Sequence, residues 1–351
     1  MRGRITRQDR PFVSFLTTAY RTEDYVGETI ESVISQTRTD WELIIVDNGN
    51  SDEMARVVGG YMDDPRISLI RQDNKGYLGG VTAAADAANG RYVCVLDSDD
   101  LIEPRYCERI GALIDRNPNI EAVGCSSLLF SDPDDGQLPR EYFASIGRKR
   151  APDPSRPASF FELLDEGVPH YVGVIQRNAW DAARGYAPHT ADAEPDVLLW
   201  LRLVSAGRDV RILPDTLVRT RTRESSLSHD KATVEGFETR MERAFVLAAR
   251  EHGLSEHLIA RTGMLRRLRY RRSLRRARVA LLTRDIEAAR TAARDALRQR
   301  RTVRAAIAVA GLYLSPDLLI SIHPAKTRVL DAAFRARRRM SRRSKAGVSD
   351  D

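Results

Sequence analysis

Cysteine is scarce in this chain: Cys94, Cys107 and Cys125 are the only three in 351 residues. None shows the paired C-x-x-C spacing of a zinc site or a disulfide framework. Cys94 lies inside an apolar run, where a small buried thiol is ordinary, so a reducing compartment is expected. Long apolar stretches are also missing. The longest, Ala305 to Leu314, is too short to span a bilayer and is followed by Pro316 and Asp317. Met1 to Arg10 is basic and polar, unlike a signal peptide. These absences predict a cytoplasmic protein. The six histidines show no spacing that suits a metal. His189 is a loop residue near a candidate acceptor segment, and a lone loop histidine carries little weight.

Hydrophobic residues make up 42% of the chain, enough for one large core and a smaller one. The net charge of +7 is unevenly spread. Residues 1–260 hold 31 Lys or Arg against 42 Asp or Glu, whereas 261–304 hold sixteen Arg against three acids, and 326–345 hold nine basic residues against one acid. An acidic body therefore carries a basic tail. Nucleic acid would draw such a tail by counterion release. Anionic lipid headgroups suit it equally well, so that 261–345 is a candidate membrane-facing stretch. A solvated face of Arg-rich helices is the plain alternative.

Residues 12–130 alternate strand and helix patterns. Phe12 to Thr17 reads as a strand, and Val26, Ile30, Val33 and Ile34 recur at helical spacing in a helix ending near Gln36. Trp41 to Asp47 reads as the next strand, and Ser51-Asp-Glu opens a helix with capping chemistry. Ile67 to Ile70 and Tyr92 to Leu96 supply two more strands around an alanine-rich helix. The repeated βαβ order predicts an α/β fold with a mostly parallel sheet covered on both faces. Residues 131–158, rich in Pro, Asp and Gly, read as a loop. Val197, Trp200, Leu201 and Val204 mark a further helix, with Trp200 in its core stripe, and Val210 to Leu213 a strand stopped by Pro214. Beyond about 235 the pattern is helical, with Leu274, Ala277 and Leu281 facing Ile286, Ala289, Ala293 and Leu297 in a helical hairpin. The expected division is 1–235 (a nucleotide-binding half at 12–130 and an acceptor half at 131–235), a basic helical region at 236–340 and a disordered tail at 341–351.

The chemistry concentrates where Tyr92-Val-Cys-Val-Leu runs into Asp97-Ser-Asp-Asp100. In open α/β sheets ligands collect at the carboxyl ends of strands, and a hard cation takes one or two carboxylates plus substrate phosphates. Asp97 and Asp99 are thus candidate ligands for Mg2+ or Mn2+. An Asx turn with a helix cap would produce the same tripeptide. Asp47 ends an apolar strand, where its carboxylate can accept hydrogen bonds from a base or ribose, or can serve as a turn residue beside Asn48-Gly49.

Four segments together resemble the family 2 glycosyltransferases of GT-A fold: Val13-Ser-Phe-Leu-Thr-Thr-Ala-Tyr20; Ser32-Val-Ile-Ser-Gln-Thr37 with Trp41 to Gly49; Asn74-Lys-Gly76 through Gly90 to Asp100 and Pro104; and Trp200-Leu-Arg-Leu203. The resemblance covers roughly residues 12–228. It implies a metal-dependent, inverting transfer of a sugar from a nucleotide-diphosphate donor to a hydroxyl of a glycan, lipid-linked or cell-surface intermediate. By the same resemblance Thr18, Ala19, Tyr20, Asp47, Asn74, Gly76, Asp97 and Ser98 would hold the nucleotide sugar. Asp99, with Asp97, would bind the metal. Asp196, just before the Trp-Leu-Arg-Leu helix, would be the base, kept ionised by the helix dipole.

The chain departs from that pattern in places. Asn48 stands for a frequent second Asp, Pro195 for the usual Glu, with Glu194 one place upstream, and Gly80-Val-Thr82 for a common Ala-Arg-Asn. Arg219-Thr-Arg221 replaces a frequent Arg-x-His, leaving Arg221, Arg223 or His229 to close over a diphosphate. Tyr186, after Gly185, is a candidate on the acceptor side. These departures keep open a non-catalytic nucleotide-sugar or anionic-partner binding protein of the same fold. A sugar nucleotidyltransferase is disfavoured, because Ala19-Tyr-Arg-Thr-Glu23 offers no glycine-rich phosphate loop.

Overall fold

The computed structural model describes residues 10–132, 138–186, 192–223 and 234–321. His189, His229 and the expected tail at 341–351 lie outside these residues. The described chain forms two compact units, the first ending at Ile259 and the second beginning at Ala260.

The first unit begins as alternating βαβ: β1 (Val13–Ala19), α1 (Glu23–Ile34), β2 (Trp41–Asp47), α2 (Asp52–Gly59), β3 (Ile67–Arg71), α3 (Gly76–Ala87) and β4 (Tyr92–Val95). All seven residues of β1 are buried, as are Leu43 to Asp47 of β2. Strands apolar in succession must be covered on both faces, and α1 and α2 supply Val26, Ile30, Val33, Met54 and Val58 to the common core. Each such side chain stabilises the fold by roughly 1.5–3 kcal/mol on full burial. Next come β5 (Leu101–Ile102), α4 (Tyr106–Arg116), β6 (Ala122–Ser131), β7 (Arg140–Glu141), α5 (Tyr142–Ile146), α6 (Phe160–Glu166), β8 (Val174–Gln176), α7 (Arg177–Ala182), α8 (Pro195–Ser205) and β9 (Val210–Thr222).

The sheet runs β3-β2-β1-β4-β8-β6-β9-β5, with β7 on β6. Its first four strands are parallel. Short β8 then enters antiparallel between β4 and β6, so the parallel character belongs to the first half and the second is mixed. β9 passes through Pro214 instead of stopping there. Register jumps from Gly124↔Ile212 to Ser126↔Thr216, and the bulge takes up a residue that has no N–H to give to a ladder. The stretch 131–158 also holds more structure than a loop, because Glu141 pairs with β6 and caps α5, accepting from the N–H groups of Phe143 and Ala144.

Helix α9 (Val234–Glu251) and the short α10 (Glu256–Ile259) belong to the first unit, which therefore extends past the boundary at 235 read from the sequence. The cause is packing on α8 and α6: Arg202 of α8 holds Glu251 at 2.7 Å, Arg240 holds Glu194 at the α8 N-cap at 3.2 Å, and His252 stacks on Phe160 of α6 at 4.0 Å between ring centroids. The second unit contains α11 (Gly263–Leu282), α12 (Ile286–Gln299) and α13 (Val303–Leu314). The stripes of α11 and α12 meet as the hairpin anticipated, and α13 closes over them through Ala305 and Leu312.

One close approach bears on the site. A Cβ on Gly80 of α3 would lie 2.3 Å from Cγ2 and 2.6 Å from Oγ1 of Thr18 on β1. Gly80→Ala is expected to lose about 1–3 kcal/mol of stability, despite the gain in helix propensity. Urea denaturation checks this, and adding Thr18→Ala is expected to restore most of the loss.

Candidate active site

The parallel half of the sheet brings the candidate donor residues to one edge. Ala19 and Asp47 are register partners at the ends of β1 and β2, and Asp97 follows directly after β4 and Leu96. Asp47 is buried, and its carboxylate accepts from Ser51 N–H at 3.0 Å and Arg71 Nε at 3.2 Å. It thus serves the turn and an ion pair at the carboxyl end of β2. Tyr20 is 44% exposed, packed beside Gly49, whose absent Cβ leaves room for the ring. Thr18 is buried, and its Oγ1 has no hydrogen-bond partner among the described residues.

Asn48 explains its own departure from the family pattern. Its Nδ2 donates to Gly76 O at 2.9 Å, and its Oδ1 accepts from Gln72 Nε2 at 2.9 Å and Lys75 N–H at 3.1 Å. An ionised aspartate could not donate the first of these. Asn74 Oδ1 in turn accepts the N–H of Gly76, whose φ of +72° suits glycine. The turn delivers Tyr77, whose hydroxyl donates to Asp97 Oδ1 at 2.8 Å.

Around Asp97 to Asp100 the carboxylates crowd. Ser98 is buried, its Oγ 2.8 Å from Thr22 Oγ1. Asp100 accepts from the Tyr171 hydroxyl and, at 2.8 Å, from Arg221 N–H. Arg221 is buried, stacks over Tyr25 and Phe130, donates from Nε to Asp99 O at 2.9 Å, and pairs with Glu28 and Asp132. It buttresses the loop from beneath. Arg223 instead reaches the Asp99 carboxylate itself. Burial, then repulsion from Asp99, pushes Asp97 up to about 7, and the same two causes raise Asp100. Oxygen-only donors with excess negative charge suit a hard divalent cation, and Asp97 and Asp99 are the residues that would hold one. Among the described residues no three His, Cys, Asp or Glu side chains converge as a complete metal cage.

Asp196 lies in the first turn of α8, after Glu194 at the N-cap and Pro195 at the first helical position. The expectation that the helix N-terminus keeps it ionised needs correction. Hydrogen bonds from backbone N–H groups do favour the anion, but burial and then the charge of Glu194 outweigh them and raise the Asp196 pKa; Asp97 adds to the rise. Asp97 is thus near enough for its charge to act on Asp196. Tyr77 and Tyr186 feel both carboxylates, each raised by burial first and in part by the charges of the two aspartates. Tyr186 packs on Trp180 at 5.4 Å and Tyr77 at 6.2 Å between centroids. His170, which burial lowers to about 3, is neutral and bonded to Thr220 at 2.9 Å. Trp200 is core, its ring filling the space that a Cβ on Gly173 would need. All three cysteines are buried free thiols.

Sequence reasoning missed Tyr77, Tyr171 and the buttressing of Arg221. The signal for Arg221 was present, since alternation along β9 turns residues 219 and 221 to the same face, but nothing local shows which face is buried.

Residues 14–172 match the family described as Glycosyl transferase family 2. Among curated proteins, the chain is 28% identical over 217 residues to EpsE of Bacillus subtilis (strain 168), a protein named as a glycosyltransferase. That alignment covers 60% of this chain and 73% of EpsE. It is 34% identical over 140 residues to the succinoglycan biosynthesis protein ExoO of Rhizobium meliloti (strain 1021), covering 37% of this chain and 40% of ExoO. Among solved structures, S. aureus TarS 1–349 in complex with UDP-GlcNAc aligns with a TM-score of 0.56 at 16% identity, over 82% of this chain and 81% of that one. The mannosyltransferase PcManGT from Pyrobaculum calidifontis, in complex with GDP-Man and Mn2+, aligns with the same score and identity, over 93% and 85%. The curled α/β sheet is that of GT-A glycosyltransferases. The match over residues 14–172 and the GT-A fold thus liken this chain to the family 2 glycosyltransferases.

Proposed function

We propose that the first unit catalyses a metal-dependent, inverting transfer from a nucleotide-diphosphate sugar to an acceptor hydroxyl on a glycan, lipid-linked or cell-surface polysaccharide intermediate. The observation that carries the reading is the mutual electrostatic influence of Asp97, just after β4, and Asp196, at the start of α8, with Tyr77 bonded to Asp97 and also feeling the charge of Asp196. Thr18, Ala19, Tyr20, Asp47, Asn74, Gly76 and Ser98 form the donor side. A divalent cation held by Asp97 and Asp99 would supply charge neutralisation for the departing diphosphate.

Asp196 accepts the acceptor proton as that oxygen forms its bond to the anomeric carbon and the bond to the diphosphate oxygen breaks. Approach opposite the leaving group inverts the anomeric centre. Arg240 pairs with Glu194 and partly offsets its charge, while burial raises both Glu194 and Asp196. Arg223 is placed to trade Asp99 for a diphosphate oxygen. UDP- and GDP-linked sugars are the donors named with two structural neighbours, and they form the panel for a test. A thermal-shift series with and without Mn2+ is expected to raise Tm by several degrees for one nucleotide class when ligand exceeds its Kd about a hundredfold. No shift with any nucleotide sugar would count against the reading.

A further inference from the structure

Helix α13 is apolar nearly all round but covered on one side only. From Val303 to Leu314 it carries a single charged residue, Arg304. Ala305 and Leu312 point into the core of the second unit and are buried. At 3.6 residues per turn, Val303, Ile307 and Leu314 fall within about 40° of one another on the opposite face. They are 77%, 62% and 84% exposed. A helix apolar on every side is ordinarily buried on every side, and a contiguous exposed stripe marks an interaction surface in a way that scattered leucines do not.

Charge selects the occupant. Residues 261–304 carry sixteen Arg against three acids. Arg301 and Arg304 are exposed at the start of the helix, and Arg290 lies 4.7 Å over the Tyr313 ring near its end. A second copy of this unit would set one cationic surface against another. An anionic bilayer offers acyl chains to the stripe and phosphates to the arginines around it. We propose that the outer face of α13 is a membrane-contact surface selective for anionic lipid. The inference stands apart from the transferase reading, though it would place the first unit beside a lipid-linked acceptor.

Sedimentation of the full chain with phosphatidylcholine vesicles, with and without phosphatidylglycerol, tests it. Wild type is expected to pellet with the anionic vesicles and to be released in part by salt. Ile307→Glu/Leu314→Glu is expected to reduce binding about tenfold or more, and Arg301→Gln/Arg304→Gln to reduce the preference for anionic lipid without touching the core. Both variants should keep the wild-type circular dichroism spectrum and the soluble donor turnover. Failure to bind anionic vesicles, or equal binding by wild type and both variants, overturns the proposal. So does a wild-type dimer, seen by analytical ultracentrifugation, that dissociates in the Ile307/Leu314 variant. Turnover without vesicle binding removes this proposal alone, and vesicle binding without turnover removes only the transferase reading.

Discussion

Asp196→Asn is expected to lower kcat by about 10²–10⁴-fold, the range a positioned general base supplies, with little change in donor affinity. The substitution keeps the shape and removes the carboxylate that would take the proton. Because burial and Glu194 raise the Asp196 pKa above the ordinary carboxylate range, the pH dependence is distinctive. The base must be deprotonated to act, so wild-type turnover should climb with pH through the neutral range instead of levelling off near pH 5. That limb should vanish in the variant. Stability should move the other way. Between the unfolded value near 4 and the raised folded value, the folded state binds the extra proton, so the contribution of this group to stability falls as pH rises across that window. Asp196→Asn removes the penalty and should raise Tm at pH 8 relative to wild type. A loss of activity accompanied by a loss of Tm would point to a structural role instead.

Asp99→Asn is expected to reduce turnover by about 10²–10³-fold, as loss of one preorganised electrostatic contact at a developing charge does, and to abolish stimulation by Mn2+ or Mg2+. The carboxylate now pairs with Arg223, so its removal lowers the negative charge beside that guanidinium. Nucleotide binding without metal should survive in the variant, since a carboxylate that repels the diphosphate is gone, while catalysis does not. Titrating Mn2+ into both proteins and following donor turnover separates the cases. A variant that keeps its metal response would show that Asp99 is not a ligand.

How far the sequence could be read depended on the range of the forces involved. The βαβ half was legible because strands buried on both faces and helices with one apolar stripe each leave a local signature. Asp97 and Asp99 stood out as carboxylates at a strand end, and Asp196 only through the resemblance of its segment to the family's. The mixed half was less legible, since β8 has only three residues and Pro214 looks like a stop until the bulge on β6 is known. The Asp196 pKa was misjudged because the helix dipole is local while burial is a property of the packed fold. Tyr77 hides in a turn whose purpose depends on Asn48, 29 residues earlier.

The central claim is that carboxylates from two distant segments serve one reaction. The most direct measurement follows product formation from the productive nucleotide sugar, in saturating Mn2+, for wild type, Asp99→Asn and Asp196→Asn, with the anomeric configuration read by NMR. The account predicts an inverted glycoside from wild type and at least about hundredfold slower formation from each variant. Equal rates in all three proteins, or a product of retained configuration, would contradict it.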